Sequence, residues 1–361
     1  MTNAMDESMV RTWEGDAPLL HEVMRRAGER YVPWQAAIEV TYRCNLRCRH
    51  CYVDDDLKVG KRPELAAQEW REVLDQLAAA GTLHLLVTGG EPLLRPDLPQ
   101  ILEAAAERGF FVALLTNGTL LSAEWVARLR DLRPHFVGTS LYGATPNTHD
   151  MVTRQRGSFG RTIGAVRSLL DAGLTVVVQA TMMAGNVGEV AAMRSLAEEM
   201  GAIFSLGYSL VPTKGCGLGP QALEATAGAA LEQLRTDPSV TVEPHREGPG
   251  ICQAGRGICS VAPDGELYPC LLMPLPLANL RERAFGDIWW HQPPEALERL
   301  RALSPADWVA CQGCADAPFC FRCPGAALGE TGSLTGRPPS SCRAAAIRAR
   351  LYHTRKGGSR P

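Results

Sequence analysis

Cys44, Cys48 and Cys51 stand in the stretch Thr41-Tyr42-Arg43-Cys44-Asn45-Leu46-Arg47-Cys48-Arg49-His50-Cys51-Tyr52, spaced C-x3-C-x2-C directly after the apolar run 36–40. Soft thiolates this closely spaced are the usual ligands of an iron-sulfur cluster. Three of them, rather than four, leave one metal of a four-iron cluster without a protein ligand, and an open coordination position is what a reactive metal centre keeps. Taken alone, the triad could also be a zinc site completed by His50, or three buried thiols. Further on stands Gly89-Gly90-Glu91-Pro92. Glycine at a strand end lets backbone approach a ligand, and the carboxylate that follows can accept hydrogen bonds from an ammonium group. Standing alone, the same four residues are a plain strand-to-helix turn closed by Pro92.

The elements that position these residues read as successive strand-helix units. Short apolar runs predict strands at 36–40, 83–87, 110–115, 136–141, 174–180 and 203–210, and helical spacing predicts helices over 64–80, 97–108, 158–172 and 187–200, with another after Ser122. In the first helix Ala66, Trp70, Val73, Leu74 and Leu77 share one face, and Gly81 stops it. Six such units are too few to close an eight-stranded barrel, so the expected fold is α/β: a partial (β/α)6 TIM-like barrel, open on one side. In parallel barrels the chemistry sits at the C-terminal ends of the strands. The triad, Gly89 to Glu91, Thr116-Asn117, Ser140 and Thr181 all fall at such ends. The expected organisation is an N-terminal extension (1–34), the barrel (35–235), a linker around 240–250, a small cysteine-rich domain (245–345) and a solvated basic tail (346–361).

Composition narrows the class. The chain has 361 residues, 45% hydrophobic and 21% charged, with a formal net charge of −2. That balance is ordinary for a globular protein with a core and offers no general attraction to nucleic acid or anionic lipid. No apolar run has the length of a membrane span and the first residues are not signal-like, so a cytoplasmic protein without membrane or nucleic-acid partners is expected. Twelve cysteines without a secretion signal point to metal or redox chemistry rather than a disulfide framework.

Together, the triad and the Gly-Gly-Glu-Pro turn resemble the radical S-adenosylmethionine (radical SAM) enzymes, and the resemblance extends over about residues 35–345. It implies that Cys44, Cys48 and Cys51 hold a 4Fe-4S cluster whose free iron is chelated by the amino and carboxylate groups of SAM, and that Gly89, Gly90 and Glu91 bind the methionine amino group. The family's Ser-Leu-Asp-Gly ribose contact reads Ser140-Leu141-Tyr142-Gly143 here. Ser140 matches; Tyr142 replaces the acid. Arg154 or Arg156 stands where relatives place a partner for the SAM carboxylate. Thr116 and Asn117 are ribose or methionine contacts, or simply a turn, and Tyr52 covers the adenine or packs.

Cys252-x12-Gly265-x4-Cys270, then Cys311-x2-Cys314-x5-Cys320-x2-Cys323 and Cys342, resemble the SPASM extension of radical SAM enzymes that modify peptides and proteins, with one spacing shorter than usual before Cys323. By that resemblance Cys252, Cys259, Cys270 and Cys323 hold one auxiliary 4Fe-4S cluster, and Cys311, Cys314, Cys320 and Cys342 a second. The alternative is two structural zinc sites. Cys216 is left over in the loop Lys214-Gly215-Cys216-Gly217, as a hydrogen-atom or proton donor or as an uninvolved thiol.

The function implied is reductive cleavage of SAM to a 5'-deoxyadenosyl radical that modifies a ribosomally made precursor peptide by a crosslink or related oxidation, with an electron donor such as flavodoxin or ferredoxin. Oxidation of a protein residue as in sulfatase maturation, and tetrapyrrole tailoring, are the near alternatives. A non-enzymatic electron relay is the alternative of another class, and it has no use for an open iron or an amine-binding turn.

Overall fold

Six parallel strands carry the site: β1 Gln35–Glu39, β2 His84–Thr88, β3 Phe111–Thr116, β4 Phe136–Ser140, β5 Val176–Thr181 and β6 Ile203–Gly207. They lie side by side in chain order, with Ala36 opposite Leu85 and Leu85 opposite Val112. Every residue of β2 is buried, as expected of a parallel strand covered on both faces. This computed structural model describes residues 17–58, 63–237, 240, 242–244 and 252–356. The first 16 residues of the N-terminal extension, most of the 240–250 linker and residues 357–361 lie outside the described residues.

The connecting helices follow their sequence signals. Ala67–Ala79 buries Trp70, Val73, Leu74 and Leu77. Ser122 caps Ala123–Leu132, its hydroxyl accepting from the Trp125 N–H at 3.2 Å. Gly201, at φ +89°, closes Val190–Met200. Between β4 and β5 stands a helix that was not anticipated, Pro146–Thr153, which begins with a Thr145 cap and Pro at its first position.

The sheet does not stop at β1. Strand β7, Ile258–Val261, pairs parallel with β1, and β8 (Glu266–Tyr268) and β9 (Ala278–Asn279) extend it antiparallel to nine strands. Because β7 occupies the free edge of β1, the barrel stays open and the cysteine-rich region grows from the same sheet.

The C-terminal end departs from expectation. Most of the segment read as a solvated basic tail belongs to a 17-residue helix, Pro339–Arg355, which buries Ala345, Ile347, Ala349 and Leu351 and packs against the helix Ala227–Thr236. Two of its arginines are tied to the neighbouring helix and the loop before it. Arg343 pairs with Glu224 at 2.7 Å, and Arg355 donates to the carbonyls of Leu234 and Asp237 at 2.9 and 2.7 Å. Long cationic side chains lay their stems on apolar surface and satisfy carbonyls at a neighbouring helix's C-terminus, so charge content alone was a poor guide to exposure.

Candidate active site

A cavity of about 330 Å³ opens at the C-terminal ends of β2 to β6, and Cys44, Cys48, Cys51, Tyr52, Gly89, Gly90, Thr116, Asn117 and Ser140 all line it. The cysteine loop is gripped from several sides. The Gly90 N–H donates to the Thr41 carbonyl at 2.7 Å and the Glu91 N–H to the Arg43 carbonyl at 2.8 Å. A Cβ on Gly89 would sit 2.2 Å from the Thr41 carbonyl oxygen, and one on Gly90 would sit 2.3 Å from that of Arg43. Here, then, glycine is required by the approach of the metal-binding loop itself. The unanticipated helix Pro146–Thr153 contributes as well: its Thr153 and Val152 carbonyls accept from the N–H groups of Arg47 and Arg49 at 3.2 and 3.0 Å.

Glu91 stands behind the two glycines rather than on the cavity wall. Its carboxylate is fully buried and accepts from the Thr116 hydroxyl (2.7 Å), the Asn117 N–H (2.8 Å) and the Leu93 N–H (3.0 Å). Burial raises its pKa, against the pull of those three bonds. In this arrangement Glu91 braces the end of β3. Asn117 then donates to the Asn45 side chain at 2.9 Å, which links that brace to the cysteine loop.

Ser140 lines the cavity together with Tyr142, the residue standing where relatives have an acid. The Tyr142 ring meets His50 edge-on at 4.4 Å and stacks on His149 at 5.8 Å between centroids. Arg154 and Arg156 do not reach the cavity. Both are exposed, and Arg154 takes the left-handed cap of the helix Pro146–Thr153 at φ +56°, which turns it outward. Cys216 is exposed at φ +64° and also lies off the cavity wall.

The lysine of that same loop is the residue sequence reasoning missed. Lys214 Nζ lies 2.6 Å from Glu39 at the end of β1, both side chains being buried. The same carboxylate accepts from the Tyr52 hydroxyl at 2.8 Å and the Tyr42 hydroxyl at 3.2 Å, and Lys214 Nζ sits 4.7 Å from the Tyr268 ring centroid. The Lys214 N–H donates to the Tyr52 carbonyl at 2.9 Å. A buried ion pair thus ties the loop after β6 to the cysteine loop and to β8. A glutamate ending an apolar strand was the available signal.

The thiols fall into three sets. Cys44, Cys48 and Cys51 are electrostatic neighbours. So are Cys252, Cys270 and Cys323, with Cys259 beside Cys270, and so are Cys311, Cys314, Cys320 and Cys342. Burial pushes four of these thiols well up, Cys44 and Cys270 to about 11 and Cys48 and Cys252 to about 12. Among the described residues no three His, Cys, Asp or Glu side chains close around one point as a single ion requires. The fit to iron-sulfur clusters rests on donor chemistry: soft sulfur ligands gathered in sets, whose thiolate form needs a cationic centre.

Residues 38–196 match the radical SAM superfamily, and residues 252–315 match SPASM, an iron-sulfur cluster-binding domain. The AdoMet-dependent heme synthase of Methanosarcina barkeri is 29% identical over 344 residues, covering 86% of this chain and 95% of that protein. The PqqA peptide cyclase of Ruegeria pomeroyi is 28% identical, covering 73% of this chain and 76% of that protein. Among solved structures, Streptococcus suis SuiB bound to its precursor peptide SuiA shares the fold, with a TM-score of 0.65 at 16% identity over 91% of this chain and 80% of that one. With a cysteine triad on the cavity wall, a glycine cradle at the end of β2 and a cysteine-rich extension of the same sheet, the chain belongs to the radical SAM superfamily and carries a SPASM domain.

Proposed function

We propose that this enzyme modifies a ribosomally made peptide, by forming a crosslink or carrying out a related oxidation. The observation that carries the reading is one cavity lined both by the triad, Gly89 and Gly90 and by Cys320, Cys323 and the C-terminal helix, so that a substrate held there meets the cofactor subsite and the SPASM region together. Relatives named as peptide cyclases, and the fold shared with an enzyme holding a precursor peptide, support it. SAM held against the reduced cluster supplies hydrogen abstraction from an unactivated carbon.

The chain's own residues bind and shield. Cys44, Cys48 and Cys51 leave one iron open, Gly89 and Gly90 let backbone meet the methionine end of SAM, and Thr116, Asn117 and Ser140 offer polar groups to its ribose or methionine part. We assign Cys252, Cys259, Cys270 and Cys323 to one auxiliary 4Fe-4S cluster, and Cys311, Cys314, Cys320 and Cys342 to another. Full thiolate ligation suits both to electron transfer, with a flavodoxin or ferredoxin as donor. Units spanning 35–235 and 245–345 are the functional division proposed. Among the described residues no helix is long and apolar enough to cross a membrane, and a cytoplasmic location fits oxygen-sensitive clusters.

The test is anaerobic. Reduced, reconstituted enzyme is expected to release 5'-deoxyadenosine from SAM, and a short peptide encoded beside the gene is expected to lose two hydrogens in intact-mass analysis. The combined Cys44→Ala, Cys48→Ala, Cys51→Ala variant should do neither. SAM cleavage with no change in any such peptide would favour the second reading, tetrapyrrole tailoring, which similarity to a heme synthase supports.

A further inference from the structure

Part of the cavity wall is built by one face of the helix Pro339–Arg355: Ser341, Ala344, Ala345 and Arg348, spaced i, i+3, i+4, i+7. The two alanines leave room, and the polar residues at either end are unmet. Ser341 Oγ and Arg348 Nε are both buried and have no hydrogen-bond partner. Elsewhere on this helix the guanidinium of Arg343 pairs with Glu224, although its Nε is also unmet, and Arg355 donates to carbonyls. Arg348 instead lays its guanidinium over the Phe321 ring, 4.2 Å from the centroid, which fixes the plane in which its N–H groups point.

Charge on the wall is one-sided. Among the described residues lining the cavity there is no Asp or Glu, and the arginines are Arg322 and Arg348. Arg322 donates to the Pro305 carbonyl at 3.1 Å, leaving Arg348 as the cation with an unmet donor. Buried donors without acceptors carry a desolvation cost that a ligand can relieve. A planar, singly charged group with two acceptor oxygens matches a guanidinium edge, and a nearby hydroxyl can add a third bond.

From this we infer that Arg348, aided by Ser341, receives a carboxylate of the substrate, so that the group presented to the cofactor subsite sits on an acid-bearing unit. The inference rests on the radical SAM reading and names the substrate's chemistry: an aspartate, glutamate or C-terminal carboxylate in a peptide, or the propionate of a tetrapyrrole. Arg348 acts as a positioning and specificity residue.

The experiment measures binding to the reconstituted, SAM-loaded holoenzyme by anaerobic calorimetry. The probes are acetyl-Gly-Ala-Glu-Ala-Gly-amide against its glutamine counterpart, and coproporphyrin III against its tetraamide. The acid of at least one pair should bind on the order of ten- to a hundred-fold more tightly than its neutral form to the wild type, as loss of a charge-assisted hydrogen bond implies. That preference should vanish in Arg348→Gln and return in part in Arg348→Lys. Preference in the peptide pair assigns the carboxylate to a peptide; preference in the porphyrin pair alone keeps the inference and overturns the peptide reading. Equal binding of acid and neutral forms to the wild type, no detectable binding of either acid, or weakened binding of SAM itself in Arg348→Gln overturns the inference. Release of 5'-deoxyadenosine by the wild type without substrate reports separately on the radical SAM reading.

Discussion

Replacing Lys214 with methionine should expose how much of this fold depends on one buried ion pair. Lys214 Nζ and the Glu39 carboxylate are 2.6 Å apart, with side-chain exposures of 8% and 0%. At an effective dielectric of ~20, unit charges at that distance attract by about 6 kcal/mol. Desolvating the two ions costs several kcal/mol each, so the pair itself contributes little net stability. Removing the lysine alone is different, because it leaves the Glu39 carboxylate buried with, among the described residues, only the Tyr42 and Tyr52 hydroxyls as donors. Lys214→Met should therefore cost about 3–5 kcal/mol, while the double variant Glu39→Gln, Lys214→Met should recover at least ~2 kcal/mol of that. Urea unfolding of the holoenzyme under anaerobic conditions, followed by tryptophan fluorescence, measures both. A cost below ~1 kcal/mol for Lys214→Met, or single-variant costs that simply add, would refute the reasoning.

Gly90→Ala should displace the cysteine loop, since its Cβ would meet the Arg43 and Tyr42 carbonyl oxygens at 2.3 and 2.5 Å; iron content and SAM cleavage should both fall, whereas Gly164→Ala, in open helical surface, should be neutral or stabilising by ~0.5–1 kcal/mol. Cys342→Ala should lower bound iron by about four per chain while the SAM-perturbed electron paramagnetic resonance signal of the first cluster persists; full iron retention would sink the assignment. Buried His84, between Trp34 and Phe111, has its pKa pushed down to about 4 by burial and then by His135. The unfolded chain therefore binds the extra proton first, so stability should be lost as pH falls from 6.5 towards about 4, by up to ~3 kcal/mol. His84→Leu should make that acid limb shallower in circular dichroism.

Much of the site was legible in the chain because its chemistry is local. Ligands three or four residues apart, a glycine turn and alternating strand and helix periods do not need a tertiary structure to be read. What the chain did not reveal came from long-range packing. Glu91 reads in the sequence as a ligand contact, and only the packing shows that it also braces β3 through Thr116 and Asn117. Arg154 looked like a partner for a carboxylate, but the helix Pro146–Thr153 turns it out to solvent. That helix was visible in principle, since Thr145-Pro146 is a cap followed by a favoured first residue. One cation on the cavity wall, Arg348, comes from a segment whose arginines suggested a solvated tail.

By itself, the sequence determined the family, the open parallel sheet, the thiol triad and the glycine cradle, because periodicity and ligand spacing are properties of neighbours along the chain. Only the tertiary structure decided that β7 continues the sheet from the edge of β1, that Glu39 meets Lys214, and that Ser341 and Arg348 complete the cavity. Those contacts join residues more than 100 positions apart. No local pattern encodes them; they follow from which apolar faces and buried charges find one another when the chain closes.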